Sequence, residues 1–191
     1  MNQIIKRCAW CSDDPIYQAY HDHEWGMPCH DDDQLFAMLC LEGMQAGLSW
    51  ITILKKREAY YEAFDGFDAA KIVQYDNQKV DELMNNDGII RHRLKIEAII
   101  NNAKAYLKIK QNQSFNDYVW GIVAGHQSNT PLINHPKDIN DIPTQTQASQ
   151  ALSKQLKKDG FKFVGPTICY AYMQACGMVD DHVIDCTYKR K

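Results

Sequence analysis

The chain has 191 residues, 45% hydrophobic and 24% charged, a composition that supports a packed core and argues against disorder. No stretch approaches the ~20 consecutive apolar residues of a membrane span, and residues Met1 to Trp10 are basic without an apolar run, so neither a membrane anchor nor an export signal is expected. A formal net charge of −3 gives no global attraction to polyanions, and seven cysteines without an export signal point to reduced thiols in the cytoplasm, available as metal ligands.

Helical periodicity dominates. Asp14 followed by Pro15 reads as an N-cap and first helical residue, opening a helix over Ile16 to Trp25. Leu35, Phe36, Met38, Leu39 and Leu41 crowd a second, buried helix that stops near Gly43. Ser49 is placed to cap a third, carrying Ile51, Leu54, Tyr61 and Phe64. Shorter helices are expected over Ala69–Tyr75 and Gln78–Asn85, before Asp87 and Gly88 break the pattern. Arg91 to Lys110 forms a long amphipathic stretch, and Ser114 starts another helix through Trp120. Residues 125–148, with Pro131, Pro136 and Pro143, read as a surface connection. Helices resume at Ser149–Asp159 and Pro166–Cys176. The expected architecture is all-α, one domain over residues 1–191 with two helical lobes as an alternative, its two ends meeting.

Three local patterns carry chemistry. Charge is uneven: seven acids and no Lys or Arg lie between Asp13 and Asp33, whereas Lys154, Lys157, Lys158 and Lys162 are opposed only by Asp159. Phosphate contacts are local, so such a patch matters more than the total. Next to it, Gly160 and Gly165 bracket a turn that leads into Pro166 and Thr167, and such a turn exposes N–H groups at a helix N-terminus, an anion site within reach of Lys162 and Thr167. Glycine-bracketed turns are also ordinary helix connections.

Seven residues have metal-ligand chemistry: Cys8, Cys11, His21, His23 and His30 near one end, His182 and Cys186 near the other. The spacing from His182 to Cys186 suits a tetrahedral zinc site, and Cys8 with Cys11 has knuckle-like spacing. A third group combines Trp10, Tyr17, Tyr20 and Trp50 with Glu42, a carboxylate closing an apolar run, where it needs hydrogen-bond partners or a cationic ligand unless it reaches solvent.

The segment LKKDGFKFVGPTICYAYMQACG resembles the helix-hairpin-helix, residues 149–177 here, of the DNA glycosylase superfamily. CAW…DPIYQAYHDHEWG, LEGMQAGLSWITILKKRE, GIIRHRLKI and DHVIDC resemble, in order, blocks of the bacterial 3-methyladenine DNA glycosylase I family, so the likeness runs from Cys8 to Cys186. The resemblance implies a helix-hairpin-helix glycosylase fold whose terminal segments are joined by one structural zinc on Cys8, His21, His182 and Cys186. It implies a base pocket of Trp10, Tyr17, Tyr20, Glu42 and Trp50, with Glu42 as the catalytic residue. The implied reaction is hydrolysis of the N-glycosidic bond of a flipped 3-methyladenine in double-stranded alkylated DNA by a monomer, yielding the free base and an abasic site. Gln45, Gly47 and Leu48 are then a wedge for the vacated gap, and Gly160, Lys162, Gly165 and Thr167 the hairpin contacts to DNA. Superfamily relatives carry a catalytic Asp two residues before a His. Asp180 occupies that position here, either as a second carboxylate near the sugar or, the expectation preferred, as a solvated acid beside the zinc site. The rival readings are a zinc-stabilised DNA-binding module without base release and a thiol-based redox sensor built on Cys8 and Cys11.

Overall fold

The protein is described here from a computed structural model covering residues 5–190. Residues 1–4, part of the stretch read for an export signal, lie outside the described residues.

Helix is the dominant secondary structure of the described residues. Helix α1 (Pro15–His23) begins as expected, with the Asp14 side chain accepting from the Ile16 N–H and Pro15 at the first position. Helix α2 (Asp32–Gln45) is capped by Asp31, which accepts from Gln34 N at 2.9 Å, and has acids in its first turn, where the helix dipole favours them. It is buried on every face along Leu35–Ala37 and Leu39–Met44, as a helix at the centre of a bundle must be.

The single helix expected after Ser49 is broken into α3 (Trp50–Leu54) and α4 (Arg57–Ala63). Buried Leu54 and buried Tyr60 are six residues apart, a spacing that falls on different faces of one helix; the turn at Lys55 and Lys56 brings both inward. Ser49 occupies the cap position but spends its hydroxyl on Thr52 Oγ1 at 2.7 Å rather than on a backbone N–H. Short α5 (Ala69–Ile72) and α6 (Asn77–Met84) pack on α7 (Arg93–Lys110), whose Ile96, Ile99, Ile100, Ala103 and Tyr106 form the inward stripe.

Helix α8 (Phe115–Ala124) is capped by Ser114, as expected. Residues 125–148 are more ordered than a bare surface connection. They contain a strand β1 (Leu132–Ile133) and a 3-10 turn (Ile139–Asp141). The cap of α9 (Gln147–Lys158) is Thr146 rather than Ser149, which is the reciprocal partner of a capping box. Helix α10 (Pro166–Ala175) follows, and then β2 (Val179–Asp180), which pairs in parallel with β1. That two-residue pair departs from a purely helical chain.

One apolar cluster runs from α2 through α7, α8, α9 and α10. A smaller cluster of Cys8, Tyr20, Trp25, Leu54, Val183 and Cys186 joins the two ends of the chain. The ends also exchange backbone bonds: Lys6 N donates to Thr187 Oγ1, and Thr187 N to the Lys6 carbonyl, both at 2.8 Å. Gly177 explains how the tail comes so close. A Cβ there would lie 2.2 Å from the Met27 carbonyl carbon, and φ is +65°. Among the described residues, no helix is long and apolar enough to cross a membrane.

Candidate functional site

All five residues of the aromatic group meet. Trp10, Tyr17, Tyr20, Glu42 and Trp50 line one cavity of ≈ 240 Å³, together with Trp25, Gln45, Ala171, Gln174, Ile139 and Ile142. Helix α1 supplies the tyrosines, α2 the carboxylate, and the first residue of α3 an indole. The rings contact one another: Trp10 lies 5.0 Å from Tyr17 and 4.9 Å from Trp25, and Tyr20 lies 5.5 Å from Trp50.

Glu42 does not reach solvent. It is 3% exposed, and its Oε2 has no hydrogen-bond partner among the described residues. Burial pushes its carboxyl up to about 8, so at neutral pH it holds its proton until a cation arrives. The indole N–H groups of Trp10 and Trp50 are also buried without partners. Buried polar atoms are nearly always paired, and three on the lining of one cavity mark a place built to receive a polar, flat guest.

The end of α2 is held by a residue the sequence reading missed. Lys95 on α7 is buried and donates to the carbonyls of Met44 at 2.9 Å and Ala46 at 2.6 Å, placing a cation on carbonyls the helix leaves free. Beyond it the chain turns through Gly47, at φ +79°, and presents Leu48, 39% exposed, while Gln45 Nε2 donates to the Leu48 carbonyl. The expected wedge is thus an apolar-tipped turn whose base, Gln45, is part of the cavity wall.

The turn between α9 and α10 closes on the same helix. A Cβ on Gly43, next to Glu42, would stand 3.3 Å from Phe163 Cβ, so the hairpin abuts the end of α2. Gly160 takes φ +97°, and Gly165 is the N-cap of α10. Lys154, Lys157, Lys158, Lys162, Gly160 and Thr167 are exposed. Within the turn the Lys162 N–H is already used, donating to Asn102 Oδ1 at 2.8 Å, while Asn102 Nδ2 returns a bond to the Lys162 carbonyl at 3.1 Å. Lys162 therefore offers its side chain, and the first turn of α10 offers the backbone donors.

At the joined ends, Cys8, His21 and Cys186 bring ligand atoms within 4.8 Å of one another, all buried. The His21 ring stands 4.8 Å from that of His182, whose Nε2 lies 3.3 Å from the His21 carbonyl. His182 is thus adjacent to the cluster and outside its tightest three. Cys11 contacts the Ser12 carbonyl and is not in the cluster. Burial and the neighbouring Cys186 push the Cys8 thiol up to about 12, so only a cation would make a thiolate there at neutral pH. Burial lowers His21, keeping it a neutral donor. The donor set fits a zinc ion. Asp180 is not solvated: it is fully buried, accepts from the N–H groups of His182 and Arg190, both at 3.0 Å, and is not on the lining of the ≈ 240 Å³ cavity.

A second, larger cavity of ≈ 710 Å³ lies across α2, lined in part by His23, Glu24, Cys29, His30, Arg57 and Tyr61. Of its three acids, Glu24, Asp31 and Glu58, Glu24 is paired, since Arg57 grips it with bonds of 2.5 and 3.0 Å.

Comparison with known proteins bears on the smaller cavity. The family model described as methyladenine glycosylase matches residues 10–190. DNA-3-methyladenine glycosylase 1 of Escherichia coli is 56% identical over 95% of this chain and 96% of its own length. A crystal structure of 3-methyladenine DNA glycosylase I superposes with a TM-score of 0.93 at 54% identity, covering 97% of this chain and 100% of that one. A Staphylococcus aureus structure, described as showing the basis of 3-methyladenine recognition by its glycosylase I, has a TM-score of 0.91 at 43% identity over 99% of both chains.

Proposed function

The chain belongs to the methyladenine glycosylase family, and from that premise we propose that it hydrolyses the N-glycosidic bond of 3-methyladenine in alkylated double-stranded DNA, releasing the free base and leaving an abasic site. The observation that carries this reading is Glu42, a buried carboxyl with a free oxygen in a cavity walled by indoles and phenols.

Methylation at N3 leaves the adenine cationic within DNA. Stacking a cation on an indole contributes on the order of 2 kcal/mol when desolvated. The same charge draws the proton off Glu42, turning a costly buried acid into one half of an ion pair with a hydrogen-bonded base edge. Unmodified adenine carries no charge to offset that cost and is rejected. A damaged nucleotide leaves the stack for a few kcal/mol. Leu48, at the tip of its turn, fills the gap, while the first turn of α10, Gly160, Gly165, Lys162 and Thr167 hold the backbone in a helix-hairpin-helix manner.

A cationic base is already a good leaving group, so the protein need not protonate it. Glu42 and the aromatic walls position the base, and water attacks the sugar as the bond breaks. The buried Lys95 spends its Nζ on two carbonyls and is not free to form a Schiff base. The protein acts as a monomer, and Cys8, His21, His182 and Cys186 hold one structural zinc. Four protein donors would close the coordination sphere, leaving no position for a catalytic water.

The test is to incubate N-methylated duplex DNA with the protein and identify the bases set free. Release of 3-methyladenine is expected. DNA binding without release would instead favour a non-enzymatic DNA-binding module and overturn this reading.

A further inference from the structure

The two imidazoles at the joined ends each face a buried carboxylate. His21 Nδ1 lies 2.8 Å from Asp22 Oδ1, and His182 Nδ1 lies 2.8 Å from Asp180 Oδ1. Both carboxylates are anchored independently. Arg7 clamps Asp22 with bonds of 2.8, 3.0 and 2.6 Å, holding it down to about 2, and Asp180 is fixed by two backbone N–H groups.

A carboxylate accepts, so each Nδ1 must carry the hydrogen. The Cys8 N–H, donating to His21 Nε2 at 3.2 Å, requires a lone pair on that nitrogen and fixes the same tautomer from the other side. In His21 the Nε2 lone pair then points toward Cys186, whose Sγ lies 3.6 Å away. His182 Nε2 lies 3.3 Å from the His21 carbonyl, itself an acceptor, so for this ring it is the Asp180 contact at Nδ1 that favours a free Nε2.

The same rings back the cavity. His21 lies 5.2 Å from the Trp10 ring, and His182 lies 4.6 Å from the Trp25 ring. Both indoles line the cavity, as does Tyr20, the neighbour of His21. On the other side of His182, a Cβ on Gly26 would approach Cε1 to 3.2 Å, so that ring has little room to swing.

The geometry points to Asp22 and Asp180 as positioning residues that set both imidazoles as Nε2 ligands of the clasp and, through those rings, hold Trp10 and Trp25 as walls of the base cavity. This rests on the zinc reading above. It gives Asp180 a role away from the sugar, and makes the clasp part of base recognition as well as a tether.

The experiment uses the full chain as wild type, Asp22→Asn, Asp180→Asn, and Glu24→Gln as a control on the same segment. Zinc affinity is measured by competition with a chromophoric chelator. Affinity for free 3-methyladenine is measured by tryptophan fluorescence at set zinc occupancy, and circular dichroism checks folding. Both Asp variants are expected to bind zinc about 10- to 100-fold more weakly. Their base affinity should fall with zinc occupancy and recover at saturating zinc, with the control unchanged. A wild type that binds no zinc overturns the clasp reading itself. Wild-type zinc affinity in both Asp variants overturns this inference alone, as does a loss of base binding that saturating zinc fails to restore.

Discussion

Two cavities flank α2, and they differ in what their acids lack. The larger, ≈ 710 Å³, contains Glu24, but Arg57 satisfies that carboxylate with two bonds. The smaller, ≈ 240 Å³, contains Glu42 with an oxygen that nothing among the described residues satisfies, beside two indole N–H groups in the same condition. Volume does not distinguish a functional site from a fold in the surface. An unpaired buried polar atom does, because evolution of a stable fold alone would remove it. Glu24 contributes to packing two segments together; Glu42 costs stability that a cationic ligand recovers.

The sharpest way to break that contrast is Glu42→Gln. Losing a charged hydrogen bond to the base should slow excision by about 10²-fold, measured as 3-methyladenine released in single turnovers. The same substitution should make the protein more stable. The Glu42 pKa is about 8 in the folded chain against 4.5 when exposed, so between those pH values the unfolded chain has shed a proton that the folded one retains. Wild-type stability therefore falls as pH rises from 4.5 to 8 and flattens above. The glutamine variant lacks that slope and should lead by up to about 3 kcal/mol at pH 7. Denaturant melts across this range decide it: a stability gap that does not widen with pH would mean Glu42 is paired after all.

Much of this cavity was legible in the sequence. Helix α1 announces itself through Asp14 and Pro15, and Tyr17 and Tyr20 fall one turn apart, so their shared wall follows from periodicity. Glu42 stood out as a carboxylate ending an apolar run. Ile139 and Ile142 did not, because they arrive from the connection between α8 and α9, placed by strand β1 against the tail, and no local pattern encodes that meeting. Asp180 was misread for a related reason: three consecutive polar residues look solvated, and only the fold of both ends over them buries them. Lys95 and Asn102 were invisible as functional residues. On α7 they read as the polar side of an amphipathic helix, and their work is done on carbonyls and N–H groups of distant turns.

Asn102 gives the intermediate test. It satisfies both backbone groups of Lys162, so Asn102→Ala leaves a part-buried donor and acceptor unpaired and should destabilise the protein by about 2 kcal/mol. Its effect on function should separate the hairpin from the cavity. Duplex affinity should weaken several-fold, while free 3-methyladenine binds as in wild type. Parallel titrations with an undamaged duplex and with the free base check this, and equal losses in both would show that the hairpin and the cavity are one unit.

The smallest effect is expected where the cavity is largest. Glu24→Gln removes the carboxylate from a pair with Arg57 whose two side chains are 39% and 25% exposed. Half-solvated pairs of this kind contribute roughly 0–1 kcal/mol, so the melting temperature should move by a few degrees at most. Excision should stay within about twofold of wild type, because 1 kcal/mol of local stability has no path into the transition state unless Glu24 touches the substrate. The single-turnover assay used for Glu42 decides this too. A tenfold loss from Glu24→Gln would place the chemistry, or an element that gates it, on the far side of α2. An unpaired buried carboxyl would then no longer be the feature that tells these two cavities apart.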